Sequence, residues 1–155
     1  MLARQAADEF NAEGLKDLES SARNLLASAL LELDRTGDAE KEMAVVQKGS
    51  LQDPTLRLAA AITSARLQVR SGKLTEGIRE LDSVAAQSKN LGIAALQFEA
   101  RLAQGETALF GGDKRTALSL LSALQKDAAR KGFRQIEVRA RAVSQQISAS
   151  GNRAG

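Results

Sequence analysis

The sequence predicts an all-α protein, and three observations carry that prediction. Its apolar residues are dominated by Ala and Leu, with four Phe and no Trp or Tyr; Ala and Leu lose little rotamer freedom in helices, whereas strands favour β-branched and aromatic residues. A single proline, Pro54, leaves almost nothing to interrupt a helix. The apolar residues also recur at steps of three and four, the spacing of one helical face.

Taken in order, Leu2, Ala6 and Phe10 predict a first helix over 2–12, ended by Asn11 and Gly14. Leu15, Leu18, Ala22, Leu25, Leu26, Ala29, Leu30 and Leu33 form a longer stripe and predict a helix over 15–36. Gly37-Asp38 breaks it, and Asp38 can cap the next helix, 38–49, by accepting a backbone N–H bond. Ala39, Met43 and Val46 mark that helix and Gly49 its stop. Asp53-Pro54 is a start signal, a carboxylate followed by Pro in the first turn, where its missing N–H costs nothing. Leu58, Ile62, Ala65 and Val69 then carry a helix over 54–71.

Leu74, Ile78, Leu81 and Ala85 predict a helix over 74–88, and Leu96, Ala100, Ala103 and Leu109 another over 92–110. Gly111-Gly112-Asp113 repeats the break-and-cap arrangement. Ala117, Leu120, Leu121 and Leu124 follow over 113–131, up to Gly132, a left-handed stop. Phe133, Ile136, Ala140, Val143 and Ile147 give a last helix over 133–148, leaving 150–155 as a flexible tail.

These helices repeat. Aligned on Gly37, Gly72 and Gly112, the positions six and nine residues on are apolar: Met43 and Val46, Ile78 and Leu81, Leu118 and Leu121. Five residues after two of the glycines stand small residues, Gly77 and Ala117, where one helix can approach another closely. The spacings of 35 and 40 residues fall in the range of helix-pair repeats. Gly92 and Gly132 also match, as do Ala100-Arg101 and Ala140-Arg141. Each pair has apolar surface it cannot cover alone, and stacking covers it. The expected architecture is an α-α superhelix, a solenoid of about seven antiparallel helices in three pairs plus a terminal helix. It forms a single domain over 1–149, with the opening helix read as half of a unit.

The segment from Arg23 to Leu56 resembles a tetratricopeptide repeat, with Leu26, Ala29-Leu30, Leu33, Val46 and Pro54 where that motif has large, small or turn residues. The Gly37-Asp38 turn is also typical of it. Glu42 departs from the motif by standing where a small residue is expected, and the third unit is stretched to about 40 residues. Segments such as Leu96–Glu106 and Lys126–Phe133 are similar to the C-terminal helical-repeat regions of large bacterial signalling proteins, attached to a kinase or winged-helix domain. That likeness implies a protein-binding module, cytoplasmic and bacterial, excerpted from a longer chain.

Composition narrows the chemistry. Without Cys or His there is no thiolate or imidazole metal ligand and no Ser–His triad. No apolar run approaches the length of about 18 residues that spans a bilayer, and the first residues do not form a secretion signal. The net charge of +3 is too small to demand nucleic acid or an anionic membrane as partner. A phosphate loop over Gly105–Lys114 fails on spacing, with Arg115 where a hydroxyl is needed. The carboxylate pairs Asp17 and Glu19, and Glu40 and Glu42, sit two apart, diverge on a helix and read as solvated surface. No catalytic residue, cofactor or metal is expected, and the chain is read as no enzyme.

The competing signal is a basic segment, Lys126, Arg130, Lys131, Arg134, Arg139 and Arg141, opposed only by Asp127 and Glu137. Nucleic-acid binding would need these charges to track a phosphate backbone, and Phe133 is the only aromatic nearby, so a solvated face is the favoured reading. In a stacked array the first helix of each unit lines a concave groove suited to a peptide or helix. Asn24, Arg66, Arg70, Glu99 and Glu106 are the residues expected to face it. The expected partner is a protein or peptide, with self-association open.

Overall fold

The computed structural model describes residues 2–12 and 15–151. Among the described residues the fold is all-helical, without strands: α1 (Leu2–Ala12), α2 (Lys16–Glu32), α3 (Thr36–Lys48), α4 (Pro54–Arg70), α5 (Leu74–Asn90), α6 (Ala94–Phe110), α7 (Lys114–Lys131) and α8 (Arg134–Gly151). The expected count of about seven is therefore eight among the described residues, one for each of the eight ranges read from the sequence, and the opening helix packs on α2. The last helix runs on to Gly151 through residues whose serine hydroxyls fold back on carbonyls one turn earlier, as Ser148 and Ser150 do. Gly14, residues 152–155 of the expected tail, and the side chains of Phe10 and Asn11 lie outside the described residues.

Two compact units divide the chain, residues 1–77 and 78–155. In the first, α2 packs against α1, α3 and α4, and α3 also meets α4. In the second, α7 packs against α6 and α8, and α6 also meets α8. Helices adjacent in sequence are thus neighbours in space within each unit.

One turn recurs through the chain. Asp34, Gly72, Gly92, Gly112 and Gly132 have positive φ, at 55°, 85°, 70°, 85° and 77°. The residue after each donates its N–H to a carbonyl five residues back: Arg35 to Leu30 (2.9 Å), Lys73 to Gln68 (2.8 Å), Ile93 to Ser88, Asp113 to Ala108 and Phe133 to Ala128 (2.9 Å each). This is the Schellman closure of a helix end, and it needs a left-handed residue that only Gly adopts without strain. The connection into α4 is built differently. Asp53 is extended and its carboxylate accepts the Thr55 N–H at 2.6 Å ahead of Pro54, as the sequence predicts.

The Gly37-Asp38 reading is overturned. Both residues lie inside α3, which starts at Thr36, and the turn is made by Asp34 instead. Aspartate is among the few non-glycine residues that tolerate this conformation. Asp38 does not cap. Its carboxylate accepts from Arg35 at 2.6 Å and from Lys41 at 3.2 Å. These two cations hold it ionised, with hydrogen bonds from Arg35 and then Lys41 keeping its pKa below the ordinary carboxylate value.

Moving the first landmark to Asp34 resets the repeat. The buried rows of α3, α5 and α7 then coincide: Ala39, Met43 and Val46; Gly77, Leu81 and Val84; Ala117, Leu121 and Leu124. Ile78, paired with Met43 in the earlier alignment, is exposed, and Leu118 is only half-buried. All three units now begin on a small residue. At Gly77 a Cβ would sit 2.5 Å from Val69 Cγ2 and 2.9 Å from the Ala65 carbonyl oxygen, so α4 and α5 touch there by backbone.

The long stripe on α2 also resolves differently. Leu26, Ala27, Leu30 and Leu31 enter the core of the first unit with Met43 and Val46. Leu15, Leu18, Leu25 and Leu33 stay exposed. This helix has two apolar rows, and period alone cannot say which one packs. In the second unit Phe98, Leu102, Leu121, Leu124 and Ile147 form the core.

Candidate functional site

The residues expected to face a groove take up several structural roles. Arg66 and Arg70 lie one turn apart on α4, in the seam with α2: Arg66 Nη1 is 3.8 Å from Glu32 Oε1, and Arg70 pairs with Asp34. Arg70 therefore braces the one left-handed residue of the turns that is not glycine. Glu99 on α6 bridges to Arg139 on α8 at 3.2 Å. Glu106 is half-buried on α6. Asn24 is half-buried on α2, and its Oδ1 is enclosed with no hydrogen-bond partner among the described residues. In the repeat register its counterparts on α4 and α6 are Ile62 and Leu102, both buried. Asn24, Arg66 and Arg70 belong to the first unit, Glu99 and Glu106 to the second.

The structure adds a cluster that periodicity missed. Arg23, on α2, donates from Nε to Glu19 at 2.7 Å, from Nη1 to Glu42 on α3 at 3.0 Å, and from Nη2 to Asp8 on α1 at 3.2 Å. Arg4 completes the group by pairing with Glu42. Glu42 is only 4% exposed and Glu19 is buried as well, so neither is the solvated carboxylate that the two-residue spacing implied. Spacing along one helix says nothing about a cation supplied by another. Partial burial alone would lower the Arg23 pKa, but the hydrogen bonds it donates to Glu19 and Glu42 outweigh it and hold the guanidinium above its ordinary value. The one signal that pointed here was Glu42 standing where the resembled motif has a small residue.

With its charges paired, this cluster ties α1, α2 and α3 together. Among the described residues no three Asp or Glu side chains are grouped to hold a metal ion. Gly105, the start of the discarded phosphate loop, lies within α6, where a Cβ would meet Leu121 at 2.7 Å. Asp113 caps α7 by accepting the Thr116 N–H at 3.0 Å, and hydrogen bonding from Thr116 keeps its pKa low.

Much of the basic segment is neutralised locally. Arg130 pairs with Asp127, Arg141 with Glu137 at 2.5 Å and Arg139 with Glu99. Arg101 also reaches Asp127, at 2.8 Å, and lies 5.6 Å from the Phe98 ring centre. Lys131 approaches the same ring at 5.8 Å, and Phe133 meets it edge-on at 4.9 Å. The segment's one aromatic is therefore used in packing.

What remains most open to a partner is the second apolar row of α2. Leu18 is 48% exposed and Leu25 is 66% exposed, with Leu15 and Leu33 extending the row. No helix among the described residues is long and apolar enough to cross a membrane. No protein family, curated protein or solved structure matches this chain.

Proposed function

We propose that the chain is a tetratricopeptide-like helical-repeat module that binds protein and acts by recognition, without catalysis. The carrying observation is the exposed row of Leu18 and Leu25 on α2, extended by its flanking residues Leu15 and Leu33, on a helix already packed against α1, α3 and α4. Exposed apolar surface of this kind is costly in water, and covering it drives association. Steps of three, seven and eight keep these side chains on one helical face, which fits the apolar face of a partner helix. Arg66, Arg70 and Glu99 first hold the seams and only secondarily meet a partner. Likeness to repeat regions of bacterial signalling proteins is the ground for placing that partner in a signalling assembly.

A panel of labelled amphipathic helical peptides, titrated in parallel with DNA and RNA oligonucleotides, tests the reading. Saturable peptide binding that Leu25→Glu abolishes, with little salt dependence, is the expected result. Tight oligonucleotide binding that falls steeply with salt, without peptide binding, would overturn it in favour of the basic helices.

A further inference from the structure

Within each compact unit the even-numbered helices use two rows, a backward and a forward one, in the same way. The backward row meets the preceding hairpin: Ala60 and Leu67 of α4 join the core of α2 and α3, and Ile136, Ala140, Val143 and Ile147 of α8 join that of α6 and α7. The forward row meets the next even helix, as Phe98 and Leu102 of α6 share a core with those α8 residues. In register, the backward row of α2 is Leu18, Ala22, Leu25 and Ala29, and the forward row of α8 is Val138, Ala142, Gln145 and Ala149. Both lie largely open, Leu25 prominently so and Val138 at 52% exposed.

We propose that these two rows cover each other between copies, with α8 of one chain seated on α2 of the next, head to tail. The inference rests on the interaction-module reading and names its partner as a second copy of this chain. Charge supports the polarity. Residues 1–77 hold 10 basic and 12 acidic residues, net −2, and residues 78–155 hold 12 and 7, net +5. Glu9 is exposed on α1, which packs on α2, while Arg134 is exposed on α8. The acidic unit of one copy attracts the basic unit of another and repels its own like, which favours a heterologous contact over a two-fold pairing of α2 with itself. Such a contact does not close on itself unless a ring forms, so mass grows with concentration.

Sedimentation and light scattering over a concentration series test this. The wild-type chain is expected to pass beyond dimer mass, less so at high salt. Leu25→Glu and Val138→Glu each hold it at monomer mass, with helical content by circular dichroism unchanged because both sites are exposed. An equimolar mixture of the two variants forms a dimer and stops, since one keeps its α8 row and the other its α2 row. Association of Val138→Glu at the wild-type level overturns the proposal in favour of α2 self-pairing. A wild-type chain that stays monomeric also overturns it. In that case, peptide binding lost in Leu25→Glu leaves the interaction reading standing, and absence of peptide binding removes both.

Discussion

In the α2/α3 hairpin, Arg23 is enclosed by Glu19, Glu42 and Asp8, with Glu42 almost shut off from water. In the α6/α7 hairpin, Arg101 holds the matching position, 11 residues before the left-handed residue in each case, Asp34 and Gly112. It meets Asp127 at 2.8 Å over the face of Phe98, and both partners keep access to solvent. The same turn and the same arginine thus sit over two kinds of seam. One is tied by buried charge, where each carboxylate depends on a cation. The other is tied by aromatic packing, with the ion pair at its edge. The comparison teaches that the repeat fixes where a side chain points, while its neighbours decide what removing it costs.

The largest expected effect breaks the first seam. Arg23→Met leaves Glu19 without its cation and Glu42 with Arg4 alone, and is expected to cost about 3 kcal/mol in urea unfolding, with Glu42→Leu added to it restoring part of the loss. Equal stability of the single and double variants would show that Glu42 does not depend on Arg23. Gly77→Ala comes next. The clash with Val69 and the Ala65 carbonyl outweighs the gain in helix propensity, for a loss of about 1–3 kcal/mol. A stabilised variant would show that α4 and α5 are not in backbone contact.

Arg101→Met sharpens the contrast with Arg23. Asp127 keeps Arg130 and solvent, so the expected loss is at most about 1 kcal/mol. The smallest effect is one of pH. Hydrogen bonds from Arg130 and then Arg101 hold the Asp127 pKa below its unfolded value. The stability this contributes is complete above the unfolded value of about 3.9 and is lost as pH falls through the folded value. Asp127→Asn is therefore expected to flatten the fall in melting temperature below about pH 4 and to leave its pH dependence unchanged above it.

Much of the fold is legible where a local rule settles the matter. Asp53-Pro54, the Gly112-Asp113 turn and the left-handed Gly132 each follow from backbone chemistry within a few residues. Gly37 misleads because a Gly-Asp pair looks like a stop and a cap, whereas the chain turns three residues earlier on an aspartate that Arg70 pairs with. Alignment on Gly37 hid Ala39 as the partner of Gly77 and Ala117. The candidate site was less legible. Leu25 and Leu26 are adjacent and both apolar, and only the packed structure separates the covered row from the open one. Burial of Glu42 needed Arg23, which is 19 residues away on another helix.

The central claim is that Leu18 and Ile136 occupy one register position, open on α2 and covered on α8. At concentrations where the chain is monomeric, Ile136→Ala and Leu18→Ala should be compared by urea unfolding. Ile136 is 6% exposed, and its truncation is expected to cost about 2–4 kcal/mol, against less than about 0.5 kcal/mol for Leu18. Equal losses at the two positions would contradict the account, because the α2 row would then already be covered.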